Sequence, residues 1–100
     1  MFEPLDGPSI QDVLSVGTGA VVEAKIGVSA LTDRKVITIQ PAGKIFVLFA
    51  SDAVPTVSDV TTKGFEQYKD SIQTYEAGER QKLYLVSASG TVNVKIAERA

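Results

Sequence analysis

The segment Ile45–Ala50 reads IFVLFA and is apolar at every position. A strand in a small two-layer protein normally alternates, because one face packs on the core and the other meets water. In a strand over this segment the side chains divide into two sets, Ile45, Val47 and Phe49 on one face and Phe46, Leu48 and Ala50 on the other. Both faces need a cover, and this requirement constrains the fold more than any other feature of the chain.

Two covers for the second face are open. The chain can supply one itself, from an N-terminal arm or from a long polar loop, or a neighbouring subunit can supply it. A chain of 100 residues buries about 64% of its unfolded surface, which provides one core. We therefore favour a neighbouring subunit and expect an assembling protein. Simple exposure would make the run an aggregation hazard, although Lys44 and Asp52 bracket it with charge.

Composition removes several kinds of chemistry. The chain has no histidine and no cysteine, so it lacks Ser-His-Asp triads, thiolate nucleophiles, and imidazole or thiolate metal sites. The glycines, Gly17-Thr18-Gly19 included, match neither the P-loop nor the dinucleotide fingerprint. We expect no enzyme activity, no cofactor and no metal.

Charge and hydropathy exclude other partners. The formal net charge is −2, which is not the basic footprint that nucleic-acid binding usually requires. No apolar run approaches a membrane span, and MFEPLDGPSI has no signal-peptide pattern. We expect a protein made in the cytoplasm that binds neither nucleic acid nor a membrane.

Short strand signals and turn signals alternate from Gly17 onward. They predict an all-β protein, a single antiparallel β-sandwich or barrel of about six to eight short strands. Two hairpins are predicted, one over Arg34–Ser51 around Pro41-Ala42-Gly43 and one over Lys82–Glu98 around Ser89-Gly90. Asp52–Lys63 reads as a loop, and Gly64–Lys69 and Ser71–Glu76 as weaker strands.

The first 16 residues contain Pro4, Gly7 and Pro8, which interrupt regular structure. Ser9 is a candidate cap for a short helical turn through Val13. We expect residues 1–16 to form an extended N-terminal arm and residues 17–100 to form the sandwich domain.

Other candidate sites have ordinary explanations. Acidic pairs that would suit glycoside hydrolysis or calcium are better read as surface charge; the candidates are Asp52, Asp59, Glu66, Asp70, Glu76 and Glu79. Tyr68, Tyr75 and Tyr84 would form a sugar-stacking platform if they lay together. We assign Tyr84 to packing, and Arg34 and Arg80 to strand ends.

The order of the motifs resembles small β-rich structural proteins of tailed-bacteriophage virions over about residues 16–98. The motifs are Arg34-Lys35 leading to Ile39-Gln40, Val60-Thr61-Thr62 before Gly64, Ala77-Gly78-Glu79, Leu83-Tyr84 leading to Ser87–Val92, and the final Val-x-Val-x-x-x-Glu. This chain has Pro41-Ala42-Gly43 where such proteins have Asn-x-Gly, and its loop over 53–63 is longer. The resemblance implies a virion component, either a capsid decoration protein or a part of the head–tail region.

We therefore expect a non-enzymatic virion structural protein that self-associates and docks on the particle. Its partners would be copies of itself and a major capsid or connector protein. A carbohydrate-binding sandwich is the alternative from another class. The predicted assembly contacts are Phe2, Pro4, Leu5, Ile10, Val13, Leu14, Phe46 and Leu48.

Overall fold

The computed structural model describes residues 7–50 and 53–100, which form two antiparallel four-stranded sheets packed as a sandwich. Sheet A has the strand order β1-β8-β3-β6, and sheet B has the order β2-β7-β4-β5. The elements are β1 (Ser9–Val16), β2 (Val22–Glu23), β3 (Val36–Pro41), β4 (Ile45–Ala50), α1 (Val57–Lys63), β5 (Phe65–Gln67), β6 (Gln73–Glu76), β7 (Lys82–Ser87) and β8 (Val92–Arg99). The predicted all-β sandwich is confirmed.

The two predicted hairpins are wrong, although their strands exist. β3 belongs to sheet A and β4 to sheet B, so the turn at Pro41-Ala42-Gly43 carries the chain across the sandwich. β7 and β8 likewise lie in different sheets, β7 in sheet B and β8 in sheet A. The physical reason is that long-range pairing outweighs the local turn, since β3 pairs with β6 and β8 while β4 pairs with β5 and β7.

The core lies between the sheets and is built from alternate residues of each strand. Ile37 and Ile39 on β3 face Ile45 and Val47 on β4 across the sandwich, and all four are fully buried. The rest of this cluster is aliphatic: Val16, Ala24, Ala77, Leu83, Leu85, Val94 and Ile96. One face of the IFVLFA strand is therefore ordinary sandwich core.

The second face of the IFVLFA strand is covered by the chain's own helix. Phe46, Leu48 and Ala50 pack against a second cluster of Val60, Tyr84 and Val86, and Val57 and Val21 join it. Val57 and Val60 belong to α1. The prediction of a loop over Asp52–Lys63 is wrong for residues 57–63, which form a helix. The cover therefore comes from the chain's own segment after β4, and not from the neighbouring subunit that we favoured. Phe46 and Leu48 are half-buried as a result.

The sequence does contain a start signal for α1. Thr56 accepts a hydrogen bond from the Asp59 backbone N–H through its side chain, and Asp59 accepts one from the Thr56 backbone N–H, which makes a capping box. The helix has only seven residues, and its packing on sheet B supplies the stability that so short a helix lacks alone. No helix in the described part of the chain has the length and apolar character to cross a bilayer.

Residues 9–16 are a strand and not an arm. β1 pairs with β8 along its whole length, from Ser9 opposite Arg99 to Val16 opposite Val92. The helical turn predicted from Ser9 is wrong, because alternation places Leu14 and Val16 against the core. The sandwich therefore begins at Ser9 instead of residue 17, and residues 1–6 lie outside the described residues.

Arg34, which we assigned to a strand end, lies buried at the end of the sandwich. Its guanidinium contacts Glu98 at 2.9 Å, and both side chains are at most 1% exposed. It also donates to the carbonyl oxygens of Ala77, Ala24, Gly78 and Gln81. The Glu98 carboxylate accepts two further bonds, from the backbone N–H groups of Ile26 and Leu31. This ion pair ties two connecting segments, β2 to β3 and β6 to β7, to β8.

Candidate functional site

Within the described residues, the predicted assembly contacts do not form one patch. Phe2, Pro4 and Leu5 lie outside the described residues. Val13 points out of sheet A and is 50% exposed, whereas alternation turns Ile10 and Leu14 towards the interior, where both are half-buried. Phe46 and Leu48 lie on the outer face of sheet B, beneath α1. Their roles as contacts stay predictions, and of the predicted contacts within the described residues only Val13 is exposed.

A shallow groove of ≈ 360 Å³ crosses the outer face of sheet A beside Val13. The strand registers place Val13, Lys95 and Gln40 in one row across β1, β8 and β3. Ile72, which is 64% exposed, lies at the other end of the groove, just before β6. Ala97 and Thr38 line it between these ends. Its two ends are apolar, and its one cationic side chain is Lys95.

β1 also forms an edge of sheet A, and its backbone polarity follows from the hydrogen bonds around it. The Ala42 N–H donates to Asn93 and the Ala100 N–H donates to Pro8. Odd-numbered residues of β8 therefore bond β3, and even-numbered ones bond β1. By register, the even-numbered residues of β1 use their backbone groups on β8. The odd-numbered ones, Ser9, Gln11, Val13 and Ser15, direct theirs to the open side.

One of these open-side donors is already engaged. The Val13 N–H donates to the carboxylate of its neighbour Asp12 at 2.8 Å. This bond independently confirms that the Val13 N–H points away from β8. Asp12 therefore places a negative charge at the middle of the free edge, which is one of the ways natural proteins discourage accidental strand pairing.

The three tyrosines are not brought together, so the sugar-stacking platform is not formed. Tyr84 is 3% exposed and packs in the cluster beneath α1, as we assigned it. Tyr75 lies on β6, and its hydroxyl donates to the buried Gln67 amide oxygen. Tyr68 is exposed, and the Lys44 ammonium lies 5.4 Å from its ring.

Three of the candidate carboxylates, Glu66, Asp59 and Glu79, have separate structural partners, and Asp52 lies outside the described residues. Glu66 accepts a hydrogen bond from the Tyr68 hydroxyl and pairs with Lys44, and these contacts lower the pKa of Glu66. The capping bonds from Thr56 lower the pKa of Asp59. Glu79 accepts from the Asp33 backbone N–H. Both lowered pKa values keep the groups ionised, which is the wrong state for a general acid at neutral pH.

The described ranges, 7–50 and 53–100, contain no group of three or more acidic side chains placed to hold a metal ion. An exposed aromatic group lies at the open side of the sandwich, where Phe49 packs edge-on against Phe65 and Tyr75 at ring separations of 6.5 and 5.6 Å. Phe65 is 68% exposed. Sequence reasoning did not anticipate this group, because Phe65 lies in a weak three-residue strand.

Comparisons with protein-family models, with curated proteins and with solved structures find no match to this chain. The arrangement on sheet A, a groove with apolar ends beside an eight-residue free edge, is suited to binding another protein surface. It carries no constellation of reactive groups.

Proposed function

We propose that the protein is a non-enzymatic structural protein of a bacteriophage virion, of the capsid-decoration type. It docks on a major capsid or connector protein through its N-terminal residues and the outer face of sheet A. The observation that carries the proposal is that Val13 and Ile72 lie at the two ends of one groove, each with at least half of its side chain exposed. Exposed apolar side chains grouped around a concave surface are typical of protein interaction sites.

Residues from separate motifs of the resemblance lie together in the fold, which supports a framework shared with the virion proteins that the sequence resembles. Arg34, Ala77-Gly78 and Glu98 come from three separate motifs of that resemblance, and they meet in one buried hydrogen-bond network. A protein that keeps these motifs in order keeps the means of tying its connecting segments to the last strand.

Density-gradient sedimentation of particles from the source cells tests the proposal. An antibody against the protein should detect it in the fractions of DNA-filled particles, at a fixed ratio to the major capsid protein. Separation of heads from tails then distinguishes a decoration protein from a head–tail connector. Protein found only at the top of the gradient, with none on particles, would contradict the proposal.

A pair of valine variants tests the docking surface. Val13→Asp should abolish binding to particles stripped of the native protein, since it replaces the apolar side chain at one end of the groove with a carboxylate. Val28→Asp is the matched control, because Val28 is 94% exposed in a loop away from the groove. Both variants should keep the wild-type circular dichroism spectrum. Equal particle binding by the two would exclude this face as the docking surface.

A further inference from the structure

The open edge of β1 presents a specific pattern of backbone groups, of which the Val13 N–H is held by Asp12. Ser9, Gln11, Val13 and Ser15 direct N–H and C=O groups to the open side, at the two-residue spacing of a strand. Only another extended chain has complementary groups at that spacing, so the edge selects a β-strand as its partner.

We propose that β1 pairs antiparallel with β1 of a second copy, which joins two A sheets into one continuous eight-stranded sheet. This inference rests on the proposed function of an assembling structural protein, and it gives the self-association expected from the sequence a surface and a pairing. Among the described strands, the other three sheet edges are two, three and four residues long, and β1 is eight. The only described free edge that matches β1 in length is therefore another β1.

Side-chain chemistry fits a two-fold pairing centred on Val13. In that register Val13 lies opposite Val13 of the partner subunit, and Gln11 lies opposite Ser15 of the partner subunit. The outward side chains Ser9, Gln11, Val13 and Ser15 are uncharged, so no like charges meet on the outer face. The two Val13 side chains, each 50% exposed in one copy, contact one another on the outer face of the joined sheet, where each still lies at one end of its groove.

Asp12 sets the strength of this pairing. Its carboxylate holds the central Val13 N–H at 2.8 Å, and that bond must break before a second strand can use the donor. In the Val13-centred register Asp12 lies opposite Leu14 of the partner subunit and gains no cation. Asp12 therefore opposes the dimer, which should form reversibly and in a concentration-dependent way.

Sedimentation equilibrium of the full chain tests the proposal with three variants. Val13→Pro removes an open-side N–H without removing a bond to β8, a position where an edge strand accepts proline. Because the symmetric dimer loses this donor in both copies, its dissociation constant should rise about tenfold or more. Asp12→Ala frees the donor and should tighten the dimer about fivefold.

Thr74→Pro is the matched control. The Ala77 N–H donates to Lys35 on the β3 side, so by register the Thr74 N–H also points to an open side, at the opposite edge of sheet A. This variant should dimerise like the wild type. A wild-type chain that stays monomeric at millimolar concentration would overturn the proposal, as would equal weakening by Val13→Pro and Thr74→Pro.

Amide hydrogen exchange of the wild-type chain gives a readout that needs no variant. The amides of Gln11, Val13 and Ser15 should gain protection as concentration rises, whereas those of Ile10, Asp12 and Leu14 are protected at every concentration. Protection that does not change with concentration, or that appears only when another protein is added, would overturn self-pairing. Particle sedimentation would still stand as the separate test of the proposed function.

Discussion

At the scale of single residues, Arg34 is the most constrained side chain in the molecule. A guanidinium has five N–H donors, and here they reach four backbone carbonyls and Glu98. Glu98 in turn accepts from two backbone N–H groups as well as from Arg34. The pair thus satisfies polar groups from the segments around residues 24–31 and 77–81, which connect β2 to β3 and β6 to β7.

Removal of either charge should destabilise the fold strongly. Glu98→Ala leaves a buried guanidinium without its counter-charge, and we expect a loss of about 3–5 kcal/mol in the free energy of unfolding. Urea denaturation followed by circular dichroism measures it. Lys63→Ala is the control, since it removes the exposed Lys63–Asp59 pair at 3.9 Å and should cost less than about 1 kcal/mol.

A double variant tests whether Arg34 and Glu98 stabilise the fold through their hydrogen bonds to the backbone or only through their opposite charges. Two isolated buried charges can often be replaced by apolar residues at no cost. Arg34→Met with Glu98→Leu should remain well below the wild type, because four carbonyls and two N–H groups lose their partners. Wild-type stability in the double variant would contradict this view of the network.

Tyr84, unlike Arg34, buries a polar group that no described residue satisfies. Its hydroxyl is buried without a hydrogen-bond partner among the described residues, so Tyr84→Phe should stabilise the protein, by about 1 kcal/mol. Tyr75→Phe is the matched control, because the Tyr75 hydroxyl donates to Gln67 at 3.0 Å, and its loss should destabilise. Thermal unfolding at neutral pH measures both changes, and a destabilised Tyr84→Phe would refute the prediction.

The same group predicts a pH dependence. Burial, with a smaller effect from the Glu23 carboxylate, raises the pKa of Tyr84 in the folded state. The unfolded tyrosine then loses its proton first as pH rises past about 10, so ionisation favours the unfolded chain and the free energy of unfolding falls from that pH upwards. Tyr84→Phe should make the decline between pH 9 and pH 11 shallower in urea titrations.

At the scale of elements, the joint between α1 and β5 depends on one glycine. α1 ends at Lys63 and β5 begins at Phe65. A Cβ on Gly64 would meet the backbone carbonyl oxygen of Val60 and, at 3.0 Å, that of Val47. The helix therefore reaches its position on sheet B only because residue 64 has no side chain.

Gly64→Ala should accordingly destabilise the protein by about 1–3 kcal/mol, the usual cost of overpacking against atoms that cannot move aside. Gly19→Ala is the matched control, because a Cβ there meets no atom within 4 Å, and its effect should lie within about 0.5 kcal/mol. Chemical denaturation measures both. Equal effects would show that α1 can shift to make room.

Local patterns located the strands but not their partners. Val36–Pro41 and Lys82–Ser87 are rich in β-branched and aliphatic residues and were predictable from composition alone. Which sheet each strand joins depends on contacts far along the chain, and a tight turn such as Pro41-Ala42-Gly43 suits a hairpin and a crossing equally well. The Arg34–Glu98 pair was hidden for the same reason, since 64 positions separate its members.

The helix was predictable in principle. Thr56 and Asp59 have the spacing of a capping box, and Val57 and Val60 supply an apolar pair on one helical face. Pro55 and the polar composition of residues 52–63 favoured a loop instead. Of the assembly contacts, Val13 stood out as a large apolar residue, but its exposure followed only from the register of β1 with β8.

At the scale of the whole molecule, the chain crosses between the sheets at nearly every connection, and of the described strands only β4 and β5 follow one another in the same sheet. The first and last strands, β1 and β8, pair along eight residues. A fold closed by its two ends cannot gain much stability from local contacts. It should fold cooperatively and slowly, in the millisecond-to-second range of sandwiches with similar topology.

Because β1 pairs with the last strand, two N-terminal deletions that differ in whether they remove β1 should have different effects on stability. Loss of residues 1–6 leaves β1 complete, together with the bond from the Gly7 N–H to Ala100, so the melting temperature should change by less than about 4 °C. Loss of residues 1–16 removes Leu14 and Val16 from the core and strips β8 of a neighbour. At about 1.5–3 kcal/mol for each buried side chain, the melting temperature should fall by at least about 15 °C.

Differential scanning calorimetry of both truncated chains measures these changes, with circular dichroism to confirm the β signal. The pair also bears on the proposed function, because the shorter deletion removes Phe2, Pro4 and Leu5 while the sandwich stays folded. Loss of particle binding in that variant would then report on docking alone. A stable sandwich after removal of residues 1–16 would mean that β1 is dispensable to the fold, and residues 9–16 would again have to be treated as an arm.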